Sequence, residues 1–222
     1  PTRRSSDLVL TAITFSDIST VIELAVVFLS KLCIYFLCSF VELLGKWKYT
    51  NLHWCKCRME VKNSSCIRDF VEDASCDELL WTAVFYHSAY RIPEGLDERT
   101  AMFCHILRDA DKIDILKVNV EFPLEEIYNV DTEVLYQEEV TPEVLQSFDE
   151  EHAVLRSLKK TAVDNVVGHI SLVYELVYPE SCRIVKRQGY LDKLMNFESK
   201  NSHTRKQFEH IREHMREYLA GK

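Results

Sequence analysis

At 222 residues, 47% hydrophobic and 28% charged, the chain is long enough to bury a core as one generous domain or a domain with an appendage, which excludes collagen-like, disulfide-miniprotein and low-complexity classes. Five Gly and five Pro leave few sites for tight turns and favour long helical segments. The formal net charge of −8 argues against a nucleic-acid groove binder, which needs surplus Lys and Arg for the phosphates, while a small anionic ligand held through a metal stays compatible.

The charge is unevenly spread. Residues 1–66 carry eight Lys+Arg against five Asp+Glu, net +3, whereas residues 67–222 carry nineteen against thirty, net −11. Five of the eight cysteines (Cys33, Cys38, Cys55, Cys57 and Cys66) also fall in the first part. The opening PTRRSSDL reads as the translation of a common sequencing-adapter oligonucleotide over Pro1 to Leu8. From Thr20 to Lys48 the sequence is strongly apolar, and Leu24 to Leu44 has about the 20-residue length of a spanning helix. Lys31 and Glu42 interrupt it, and a central Lys costs about 3 kcal/mol on insertion scales, so the stretch argues only weakly for a membrane span. A buried core helix and an off-frame translation are the competing readings.

His53, Cys55, Cys57 and Cys66 offer zinc-type donors, but C-x-C with a lone Cys nine residues later is poor spacing for a structural zinc site. No secretory signal pattern opens the chain and the cysteines are irregularly spaced, so a reducing, cytoplasmic setting is expected. Residues 1–66 thus form a doubtful segment, and 67–222 read as one coherent domain.

That domain is expected to be all-α. Ser75 and Glu78 have the spacing of a capping box opening a helix over CDELLWTAVFYHSAY, with Leu80, Ala83, Val84 and His87 on one stripe. The turn RIPEGLDE, with Pro93 and Gly95, leads to a second helix from about Glu98 to Leu116, with Phe103, Leu107 and Ala110 inward. Pro123 starts a short segment. Thr141 before Pro142 reads as an N-cap with proline at the first helical position.

The run TAVDNVVGHISLVYELVY places Val163, Val167, Ile170, Tyr174 and Val177 on one helical face before Pro179 stops it. Gly189 and Gly221 fall where helix ends favour a left-handed residue. Phe208, Ile211, Met215 and Leu219 define a final amphipathic helix. The acidic stretch Glu138 to Glu151 reads as a solvated face, and Cys104 and Cys182 as small apolar core residues. His152, His203, His210 and His214 read as surface or helix-packing residues.

The chemistry concentrates in HILRDADKIDIL, residues 105–116. Asp111 follows Leu107 by four residues and is expected on the inward stripe, where a carboxylate is costly unless it pairs with a base such as Arg108 or Arg91, or binds a cation. His87 lies on the apolar stripe of the preceding helix. An inward His and Asp on consecutive helices are suitable ligands for a divalent ion that activates water and clamps a phosphate.

FYHSAY, RIPEGLDERT and RDADKID, followed by GHISLVYELVYPES, QGYLDKL and RKQFEHIREHMREYL, resemble a bacterial branch of the HD-domain superfamily of metal-dependent phosphohydrolases over about 155 residues. The resemblance implies an all-α HD-domain-like helical bundle, a divalent metal (Mn, Fe or Mg) and hydrolysis of a phosphate ester, including nucleotide-type substrates. By position, Asp111 matches a metal-ligating aspartate and His87 a histidine near metal or substrate. Asp109, Lys112 and Asp114 match companions that order the site, and His169 matches a histidine on a later helix.

The sequence departs from the family at its eponymous feature, for it contains no His-Asp doublet, and Trp54 follows the only histidine before His87. Three of the four expected metal ligands therefore lack a counterpart. The domain is expected to be incomplete at its N-terminal side and inactive as written. The opposing reading is a non-enzymatic helical protein, either a metal-free scaffold or one anchored in a membrane through residues 21–44.

Overall fold

The computed structural model describes Ile22 and residues 74–222. The expectations for the adapter-like opening, the apolar stretch 21–44, the four zinc-type donors and a boundary near residue 66 therefore lie outside the described residues, Ile22 apart. Among the described residues the structure is all-helical: α1 (Asp77–Tyr86), α2 (Glu98–Glu121), α3 (Leu124–Tyr128), α4 (Thr132–Gln137), α5 (Pro142–Asp149), α6 (Ala162–Ile170), α7 (Pro179–Gln188), α8 (Tyr190–Met195) and α9 (Ser202–Ala220). Three short 3-10 turns, Ala74–Cys76, Arg156–Leu158 and Ser171–Glu175, complete the order. None of the described helices is long and apolar enough to cross a membrane. The chain divides into two compact units, Pro1–Asp111 and Lys112–Lys222, with the division inside α2.

In the first unit, α1 starts without the expected capping box. The chain enters through the 3-10 turn Ala74–Cys76, so Ser75 lies inside that turn and Cys76 takes the N-cap position with no side-chain bond. The buried positions of this segment are Thr82, Ala83 and His87, while Leu80 and Val84 are half-buried. Thr82 satisfies its hydroxyl by donating to the Glu78 carbonyl at 2.7 Å. Gly95 takes φ +82° in the turn, a conformation that costs glycine little. Asp97 then caps α2 by accepting from the Thr100 amide at 3.0 Å, and the Thr100 hydroxyl and amide hold its carboxyl below the usual range.

The second unit is organised around α6, which packs against α4, α5 and α8, while α9 packs on α5 and α8. Val163, Val166, Val167 and Ile170 are fully buried, as are Phe208, Ile211 and Met215 of α9, in keeping with the stripes read from sequence. The N-terminus of α6 is closed by side chains from several directions. Thr161 and Asp164 form a reciprocal capping box, and Glu138 accepts from the amides of Ala162 at 2.6 Å and Val163 at 3.1 Å. Part of the acidic stretch is therefore structural: Glu138 caps α6, and Val140, Val144 and Phe148 belong to the core.

Three further expectations are corrected. The run after Thr161 is not one helix, because α6 stops at Ile170 and the chain tightens into the 3-10 turn Ser171–Glu175. The Ser171 hydroxyl donates back to the Gly168 carbonyl at 2.8 Å and accepts the Val154 amide at 3.0 Å. The three-residue period of that turn breaks the stripe, leaving Tyr174 half-buried and Val177 exposed. Gly189 is left-handed as expected (φ 70°), but Gly221 is not (φ −83°), since its amide closes a tight turn on Tyr218. Helix α2 runs to Glu121 rather than Leu116, for nothing before Pro123 breaks it.

Candidate functional site

In the first unit, His87 caps the C-terminus of α1 and is 8% exposed. Its Nδ1 lies 2.5 Å from the Val84 carbonyl, so in the neutral ring Nδ1 carries the proton and Nε2 the lone pair. Arg108 donates to the Tyr90 carbonyl at 3.0 Å, which ties α2 to the segment following α1.

The buried face of α2 differs from the expected one. Ile106, Asp109, Ala110, Ile113 and Leu116 recur at three- and four-residue spacing and are all buried, with Asp109 at 0% exposure. Asp111 is roughly 200° round the helix from Asp109 and is half-buried, as is Leu107. The fully buried carboxylate of RDADKID is therefore Asp109, with Asp111 on the opposite side. Lys112 (9%) and Asp114 (7%), which open the second unit, are also buried.

Farther along α2 in the second unit, Asn119 organises a polar cluster that had no local signal beyond a lone amide between Val118 and Val120. Its Oδ1 lies 2.7 Å from His169 Nδ1 and accepts the Tyr128 hydroxyl at 2.6 Å, and its Nδ2 donates to the Ile115 carbonyl at 2.7 Å. The Tyr128 and His169 rings stack at 5.7 Å. Burial, and then the charge of Lys159, push the His169 imidazole down to about 3, although the residue keeps some exposed surface. Burial pushes the Tyr128 phenol up. His169 is thus a neutral imidazole near neutral pH, with Nδ1–H donated to Asn119. An imidazole so hard to protonate suits holding a partner in place better than general-base work.

A zinc-type catalytic site takes three convergent protein donors and leaves a fourth position open. His87 and Asp111 have fitting chemistry, but among the described residues they do not come together with a third donor of His, Cys, Asp or Glu type. Among the described residues, the three-donor group lies elsewhere: Asp149, His210 and His214, whose ligand atoms are all within 4.8 Å of one another. Cys104 and Cys182 are buried as expected, and burial pushes the Cys104 thiol up, away from nucleophilic use.

No protein-family model, curated protein or solved structure matches the chain.

Proposed function

We propose that residues 67–222 carry the helical framework of an HD-type phosphohydrolase acting on a small phosphorylated substrate, and that the framework is without turnover in this chain. One observation carries the reading. Arg108, Asp109, Lys112 and Asp114 are all under 10% exposed within two turns of one helix. Buried, partnered charges cluster at functional sites as well as in structural ion-pair networks, and their falling in the RDADKID segment favours the former. The absence of a His-Asp doublet accounts for the expected lack of turnover.

Purified chain, offered Mn²⁺, Fe²⁺ or Mg²⁺ with p-nitrophenyl phosphate and nucleoside monophosphates, is expected to give no metal-dependent release of phosphate. Weak Mn²⁺ uptake that Asp111→Ala removes is the expected trace of the site. In a His210→Ala/His214→Ala background, uptake indifferent to Asp111→Ala overturns the reading and leaves a helical scaffold.

A further inference from the structure

We propose that Asp149, His210 and His214 form a binding site for a late divalent transition ion of the zinc type, with Glu151 placed to supply a fourth donor. The site lies within the second unit and stands independently of the phosphohydrolase reading.

His210 and His214 are four residues apart on α9, so their rings leave the same face one turn from each other. Asp149 ends α5, which packs on α9. Its Oδ1 is 2.7 Å from His210 Nε2, and Glu151 Oε1 is 3.8 Å from His214 Nε2. Ligands at zinc bonding distances sit about 3.3 Å apart on a tetrahedron, so a metal requires the Asp149–His210 pair to open by about 0.6 Å and the Glu151–His214 pair to close by about 0.5 Å.

Two buried polar atoms without a hydrogen-bond partner lie at the cluster. His214 Nε2 is buried without a hydrogen-bond partner, since Glu151 is too far to supply one. The hydroxyl of Tyr174, whose ring packs edge-on to His214 at 6.4 Å, is likewise buried and unpartnered. Glu151 itself sits at φ 58°, in the left-handed region that a glutamate rarely enters. A cation here would take up the His214 lone pair and offset the two carboxylates. Two imidazoles with carboxylate favour zinc, nickel or cobalt over magnesium or calcium, which prefer all-oxygen shells.

The full chain is titrated with Zn²⁺ against a chromophoric chelator, alongside His210→Ala/His214→Ala and His203→Ala variants whose folds are checked by far-UV circular dichroism. The expected result is one tight equivalent of Zn²⁺ that the double variant loses, with affinity falling at least tenfold, and that His203→Ala, at an exposed position of the same helix, leaves unchanged. Co²⁺ should give a visible d–d band that disappears in the same double variant. Equal Zn²⁺ stoichiometry and affinity in the wild type and the double variant overturn the proposal.

Discussion

Thr141 gives the carboxylate of Asp164 two hydrogen bonds at once, from its amide at 2.8 Å and its hydroxyl at 2.6 Å, although the two residues are 23 positions apart. The carboxylate is fully buried and also accepts the amides of Lys160 at 2.8 Å and Thr161 at 2.9 Å. This contact joins the start of α5 to the start of α6, and it explains why Thr141, an N-cap by position, makes no side-chain cap bond of its own.

Asp164→Ala strands four donors and should cost about 3–5 kcal/mol in urea unfolding, whereas Thr141→Val should cost about 1–2 kcal/mol. The double variant should lose less than the sum, because both changes remove the same bonds. Additive losses would show that the two residues act separately.

His169 predicts a pH dependence. Its folded-state value, about 3, lies below the ordinary 6.5, so between these values the unfolded chain binds a proton that the folded chain does not. Its contribution is complete above pH 6.5 and is lost as pH falls towards 3, with a ceiling of about 1.4 kcal/mol per pH unit. Asparagine at this position keeps a donor for Asn119 but does not titrate. Urea midpoints between pH 7 and pH 4 should therefore fall less steeply in His169→Asn than in the wild type, and parallel curves would contradict the assignment.

The first two aspartates of RDADKID should separate in stability measurements. Asp109→Ala removes a charge at 0% exposure and should cost about 3–5 kcal/mol, while Asp111→Ala, at a half-buried position, should cost about 1 kcal/mol or less. The reverse order would place Asp111 on the buried face.

The all-α class, the stripe of α9 and the buried valines of α6 were legible because each rests on local periodicity that tertiary packing reinforces. The inward face of α2 was not. An Asp at either 109 or 111 satisfies some helical spacing with nearby apolar residues, and only the neighbours in space decide which is buried. Asn119 and Tyr128 were unreadable for the same reason, since their partner His169 is tens of residues away in sequence. The Thr161–Asp164 box was within reach, as its T-x-x-D spacing stands next to an apolar run. The break at Ser171 was not, for it depends on a hydroxyl bonded to the distant Val154 amide.

The RDADKID segment of α2 is proposed to be the remnant of a metal-dependent site. It is tested most directly by a Mn²⁺ binding isotherm, read from the free-ion electron paramagnetic resonance signal, in a His210→Ala/His214→Ala background with and without Asp111→Ala. The account predicts weak, saturable Mn²⁺ binding that disappears with Asp111→Ala while far-UV circular dichroism is unchanged. Identical isotherms for the two proteins would contradict it.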